Sequence, residues 1–377
     1  MVHIRLNDEK CTGCFACVNI CPKNCIYMKH NKEGFLYPAI DEDNCLNCGL
    51  CKSVCSIDIK SSENKENNAY ACFSKKEDVV RKSSSGGMFF EIANLILEND
   101  GYVCGAEYAE DFSVRHVLIN EKKDLHKLMK SKYVQSSINK VYHEIKNVLY
   151  RGKQVLFMGT PCQVKGLKLF LKKDYDNLFC GEVVCHGVPS YKVLKKYADF
   201  LSKDSKIKYI DFRNKENGWK KYSVKFEFEN NEINMNYEKC LYLLGFIDNL
   251  YLRKSCYSCD CKMEQTYADF TLGDFWGVDK LRPDIDNNKG VSLYISHTNK
   301  GDTIINKLES VIFYDKIKDN KYVDFNPSII KSAEENIKRK TFFKNIDKYN
   351  FGMLWDYVYS RNIIDRTKIV LKNRMNR

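Results

Sequence analysis

The sequence predicts an α+β chain in which a small, cysteine-dense module precedes a mixed α/β domain. Three observations carry that reading. Nine of the 18 cysteines fall within the first 55 residues. The polar stretch from Ser61 to Asn68 then interrupts the pattern as a linker does. From Ser83 onward, helical periodicity alternates with short β-rich runs. At 377 residues, with 44% hydrophobic and 29% charged, the chain can bury a sizeable core and is neither disordered nor fibrous. The expected units are residues 1–60, residues 70–300, and a helical, basic extension over 301–377.

In the first unit, Cys11, Cys14, Cys17 and Cys21 follow the spacing C-x2-C-x2-C-x3-C-P, and Cys45, Cys48, Cys51 and Cys55 repeat it with Ser56 in place of proline. This is the pattern of a bacterial two-cluster ferredoxin, in which the fourth cysteine of each run ligates the other cluster. One 4Fe-4S cluster is therefore expected at Cys11, Cys14, Cys17 and Cys55, and a second at Cys45, Cys48, Cys51 and Cys21. Three closely spaced thiolates wrap one face of a cube, and the distant fourth closes the cage and ties the two halves together. Neither zinc nor a disulfide framework accounts for two nearly identical four-cysteine runs. Cys25, four residues after Cys21, reads as a small packing residue.

The second unit opens with the loop Ser83-Ser84-Ser85-Gly86-Gly87, which feeds a helix from Met88 to Asp100 closed by Gly101. Strands follow over 103–106 and 114–119, then a helix over 138–150. Next come a short apolar strand over 154–158, a turn over 159–163 and a helix over 164–172. Residues 178–185, 207–212, 222–228, 268–273 and 291–297 are the remaining strand candidates, and 300–377 reads as mainly helical and lysine-rich.

Four short motifs in this unit carry chemistry. The Ser83–Gly87 loop combines hydroxyls, glycines and a helix start, so it can hold a phosphate, although a plain helix cap uses the same residues. Gly159-Thr160-Pro161-Cys162-Gln163 lies between strand and helix, where a loop can meet the edge of a flavin or nucleotide. Cys162 at a helix start is expected to have a lowered thiol pKa, a buried structural cysteine being the plain alternative. Cys185-His186-Gly187 has no orienting acid at a recognisable spacing, which argues against Cys-His hydrolysis. Cys256, Cys259 and Cys261 offer two or three ligands for a further metal site that Cys162 or Cys185 could complete. A third cluster, a small zinc site and a reducible dithiol all remain open there.

The amino-terminal residues have neither a basic nor an apolar signal region, and no apolar run approaches the roughly 18–20 residues of a membrane helix. A cytoplasmic protein without a membrane span is expected. The net charge is +12, falling to roughly +8 once two four-thiolate clusters of about −2 each are counted. Apart from the tail Arg366 to Arg377 the excess is spread along the chain, so nucleic acid is not the expected partner.

Taken together the motifs resemble the coenzyme F420 hydrogenase/dehydrogenase beta-subunit family, in the form that carries a two-cluster ferredoxin module at its amino terminus. The resemblance spans roughly residues 1–300 and rests on eight motifs in the same order. They are Ser83 to Gly87, Ser131-Lys132-Tyr133-Val134-Gln135-Ser136, Gly159 to Gln163, Cys185 to Gly187, Phe212 to Lys215 with Gly218-Trp219, Arg253 to Cys256, Leu272 to Gly277, and Gly290 to Ser292. The resemblance implies an FAD beside iron-sulfur clusters, with Ser84, Ser85, Gly86, Gly87, Ser131, Lys132, Tyr133, Thr160, Pro161 and Gln163 as its contacts. It implies an oxidoreductase that passes single electrons between clusters and flavin and exchanges a hydride with a small-molecule or deazaflavin-type substrate. Flavin is the cofactor that can do both. Bacterial relatives in settings of surface-polysaccharide synthesis suggest a sugar or isoprenoid-type substrate. A redox protein of the ferredoxin or flavodoxin type is the expected partner, favoured by the basic surface. The competing reading is an electron-transfer or adaptor subunit whose chemistry resides on another protein.

Overall fold

Val155-Leu156-Phe157-Met158-Gly159 is buried at every position, as a strand covered on both faces must be. It lies in a nine-stranded mixed sheet among the described residues, which in this computed structural model are 9–57, 59, 67–202 and 205–360. Most of the expected linker and the basic tail Arg366 to Arg377 lie outside those residues. The strand order is Ile312–Lys316, Asn68–Ser74, Ser292–Ser296, Phe270–Asp274, Leu178–Val183, Val155–Gly159, Tyr102–Tyr108, Val114–Ile119 and Ser136–Ser137. The central four, from Phe270–Asp274 to Tyr102–Tyr108, run parallel, so their carboxyl ends gather along one edge. Helices Met88–Glu98, Val141–Tyr150 and Pro161–Leu171 pack apolar faces on the sheet, with Ile92, Ile145 and Leu167 fully buried.

Beside this sheet stands an antiparallel three-stranded one, ordered Glu232–Asn236, Ser223–Phe228 and Ile207–Asn214. Helices Tyr191–Ser202, Leu241–Ile247, Arg339–Asn345 and Phe351–Tyr359 close over it around Tyr197, Phe212, Tyr242, Tyr251 and Phe342.

Two local departures from the expected pattern have physical causes. Ile312–Lys316, inside the segment expected to be helical, is an edge strand paired antiparallel with Asn68–Ser74, and Phe313 stacks on Phe73 at 4.7 Å. Long-range pairing has overridden the helical periodicity around it. The third helix begins at Pro161, where a turn was expected, because Thr160 and Gln163 form a capping box and proline suits the first helical position.

The cysteine-rich module contains the hairpin Ile26–His30 and Leu36–Ile40 and the short helices Ala16–Ile20 and Leu50–Ser53. It is bound tightly to the rest. Arg339, 2% exposed, holds Glu33 through two parallel bonds of 2.8 and 2.5 Å. Lys140 Nζ donates to Val18 O at 2.9 Å, and Tyr142 Oη donates to Cys14 O at 3.0 Å. Gly166 faces Cys14 so closely that a Cβ there would stand 2.8 Å from Cys14 Cβ. Among the described residues, no helix is long and apolar enough to cross a membrane.

Candidate functional site

All 18 cysteines carry free thiols, and thirteen of them fall into three groups. The outer group is Cys21, Cys45, Cys48 and Cys51, which line one small pocket together with Cys25. Cys21 has thus crossed to the second run, as the ferredoxin spacing requires. Cys25 is buried with its sulfur 3.3 Å from that of Cys21, and it also bonds with Cys45, so it packs into the wall of this cage. The inner group is Cys11, Cys14, Cys17 and Cys55. Burial pushes the Cys17 thiol well above its ordinary pKa, and Cys14, Cys11 and Cys55 push it further, in that order. Cys51 acts on Cys17 as well, which makes the two groups neighbours.

The third group assembles from three distant segments. Cys162 stands in the first turn of its helix, Cys185 follows strand Leu178–Val183, and Cys256 and Cys259 lie in and just after the short helical turn Lys254–Ser258. Charge on Cys162 is felt by Cys256 and charge on Cys185 by Cys162, while Cys259 acts on Cys162, Cys185 and Cys256. Cys261 is bonded to Cys259 and faces Cys162, so it is a fifth thiol of the group. Burial pushes Cys185 and Cys256 up to about 12. Cys162 is raised too, mainly by burial, which corrects the expectation of a lowered pKa at a helix start: loss of water outweighs the helix end. Cys259 moves the other way, because Cys261 donates to it. Cys14 acts on Cys162, linking this group to the inner one.

Thiols that ionise only against burial suit a cationic metal centre, which supplies the charge that stabilises thiolate. Among the described residues, no three His, Cys, Asp or Glu side chains converge as they would on a single ion. The outer thiols line a shared pocket instead, as the ligands of a cube with an iron at each ligated corner would.

At the carboxyl edge of the parallel strands lies a cleft of about 500 Å³, within the roughly 300–1,000 Å³ of a small-molecule site. Ser84, Ser85, Gly87, Ser131, Lys132, Tyr133, Thr160 and Gln163 line it. Gly86 and Pro161 stand outside the lining, where Gly86 N donates to Ser292 Oγ and Pro161 starts its helix. Helices starting at Met88 and Pro161 both present their amino ends towards it, and Ser84 Oγ accepts 3.0 Å bonds from Ser131 N and Oγ. Two helix ends with hydroxyls and a nearby lysine favour a pyrophosphate. Burial lowers Lys132 to about 7, so it charges when an anion arrives.

Cys185 and His186 also line the cleft, so the third cysteine group opens onto it. Two further wall residues had no role assigned from the sequence. Asp274 is held by Trp219 Nε1 at 2.9 Å and by Arg213 at 3.3 Å, Arg213 itself lying between Tyr222 and Trp276. Its motif, Leu272 to Gly277, was the available signal. His116 is buried, with Nε2 at 3.1 Å from Met158 O and an unpartnered Nδ1, and nothing in its sequence neighbourhood marks it.

Residues 10–59 match the 4Fe-4S dicluster domain, and residues 152–319 match the family described as the C terminus of the coenzyme F420 hydrogenase/dehydrogenase beta subunit. Over 54 residues the chain is 37% identical to an uncharacterised ferredoxin of Methanocaldococcus jannaschii, covering 14% of this chain and 69% of that protein. It is 38% identical over 63 residues to a ferredoxin of Rickettsia felis, covering 16% of this chain and 52% of the relative. A pyruvate synthase subunit of Methanothermobacter marburgensis is 35% identical over 52 residues, covering 14% and 54%. The chain thus spans about half to two thirds of the length of these relatives. A chain of the F420-reducing [NiFe] hydrogenase complex from Methanosarcina barkeri superposes with a TM-score of 0.48 at 17% identity, covering 71% of this chain and 93% of that one. The chain thus joins a 4Fe-4S dicluster domain near its amino terminus to the C-terminal domain of the coenzyme F420 hydrogenase/dehydrogenase beta-subunit family.

Proposed function

We propose that this chain converts between single electrons and hydride, holding two 4Fe-4S clusters in residues 1–60, a third in the group Cys162, Cys185, Cys256 and Cys259, and FAD in the cleft of residues 70–300, with the described part of residues 301–377, up to 360, adding an edge strand and covering helices. One observation carries this reading: the cysteine groups form a continuous series that ends at the cleft. Cys51 of the outer group acts on Cys17, Cys14 of the inner group acts on Cys162, and Cys185 lines the cleft. FAD and clusters supply the redox chemistry, two-electron exchange at the ring and one-electron exchange at each cube.

The chain's own residues bind and orient. The Ser83–Gly87 loop and Thr160 offer hydroxyls and helix ends to the pyrophosphate, while Lys132 supplies a cation. Asp274 presents a carboxylate fixed by Trp219 and Arg213, and His116 presents a neutral nitrogen, since burial lowers its pKa to about 4.

Anaerobic purification followed by release and identification of flavin, with iron counted on the same sample, tests this reading. About one FAD and about twelve irons per chain are expected. About eight irons with FAD would remove the third cluster alone. No flavin with the clusters intact would leave a cluster carrier serving a partner protein. A substrate screen starts with deazaflavins and, following the family resemblance, with sugar- and isoprenoid-type compounds.

A further inference from the structure

Arg253 belongs to the second unit, yet its side chain is enclosed by the cysteine-rich module. It is 1% exposed. Nε donates to Cys11 O at 2.7 Å, Nη1 donates to Leu36 O at 2.9 Å, and the guanidinium lies 4.0 Å from the Tyr37 ring centre. Glycine at residue 13 suits this approach: its φ is +68°, and a Cβ there would stand 2.8 Å from Gln135 Nε2 and 3.2 Å from Arg253 Cζ.

Nη2 has no hydrogen-bond partner among the described residues. A buried donor left unmade costs about 1–3 kcal/mol, so such a group marks a missing acceptor. The same guanidinium, bonded to the Cys11 carbonyl, lies beside the Cys11 side chain. In the outer run the position matching Gly13 is Asn47, which is exposed.

We propose that Arg253 is a positioning residue for the inner cluster, donating from Nη2 to a sulfur at the Cys11 corner and raising that cluster's reduction potential above what its ligands alone would set. This rests on the reading that Cys11, Cys14, Cys17 and Cys55 hold a cluster. Reduction adds one negative charge, and a buried cation with a sulfur-directed N–H stabilises the reduced form more than the oxidised one. Two ligand runs of the same spacing thereby acquire unequal potentials, and the cluster nearer the flavin side becomes the better electron acceptor.

Anaerobic potentiometric titration followed by electron paramagnetic resonance tests this on the full-length holoprotein, its Arg253→Met variant and its Arg253→Lys variant. The Met variant should lower the inner midpoint by at least about 59 mV, a tenfold change in a one-electron equilibrium, and leave the outer midpoint in place. The Lys variant should recover part of that shift by its charge. Unchanged midpoints in a Met variant that retains its clusters would overturn the proposal. Should the Met variant lose the inner cluster, wild-type protein labelled with nitrogen-15 arginine decides the matter. A nitrogen-15 coupling to the reduced inner cluster in electron-nuclear double resonance supports the bond, and its absence overturns it. Wild-type protein with fewer than about eight irons per chain would instead remove the two-cluster reading, and this proposal with it.

Discussion

The two ligand loops of the module, Cys11 to Cys17 and Cys45 to Cys51, share one spacing and have opposite surroundings. In the first, Gly13, Cys14, Phe15 and Ala16 are buried, and Arg253, Tyr142 and Gly166 of the second unit press on it. In the second, Leu46, Asn47 and Cys48 are exposed. The difference teaches that a repeated motif sets ligands but not roles. The outer cage faces solvent, where a redox partner can approach, and the inner one faces the third group and the cleft. The docking contacts create this asymmetry between two loops of the same spacing.

Breaking those contacts should have the largest effect. Glu33→Ala leaves the buried Arg339 guanidinium without its carboxylate and should cost about 3–5 kcal/mol in urea unfolding, with the module released before the sheet. Little change in the unfolding midpoint would mean that the module is held elsewhere.

Acid should separate the two regions next. Burial holds His116 neutral, lowering its pKa from an ordinary 6.5 to about 4, so between those values the unfolded chain binds the extra proton. Stability from this group is complete above pH 6.5 and is lost as pH falls towards 4, by about 3 kcal/mol. His116→Gln should flatten that part of the stability profile, and an unchanged slope would contradict the assignment.

A smaller and more selective effect is expected at Gly166. Gly166→Val forces the helix and Cys14 apart and should cost about 2 kcal/mol, weakening the inner cluster's signal while the outer one persists. Equal loss of both signals would argue against two distinct environments.

The module was legible in the sequence because its ligands are local. Eight cysteines at fixed spacing specify two cages whatever surrounds them, and the crossing of Cys21 and Cys55 follows from the same spacing. The third group was legible only as residue types. Cys162, Cys185 and Cys256 are separated by whole strands and helices, so their meeting depends on sheet order, which no local pattern encodes. The same limit explains Asn68–Ser74, a strand whose two partners come from 292–296 and 312–316. Cys162 shows a further limit. Its position at a helix start was readable, but the burial that reverses the expected pKa comes from packing. Arg253 was readable only as part of the motif Arg253 to Cys256, and His116 carried no signal, since each acts through neighbours distant in the chain.

The central claim is that electrons pass between the exposed cage and the flavin. It is tested most directly by anaerobic stopped-flow mixing of the oxidised holoprotein with a reduced ferredoxin, following flavin bleaching, in wild type and in Cys48→Ser. The account expects the flavin of the wild type to be reduced through the clusters. It expects the variant's flavin to respond to a hydride donor but no longer to the ferredoxin. Reduction of both flavins by ferredoxin at the same rate would contradict the path from the outer cage inward.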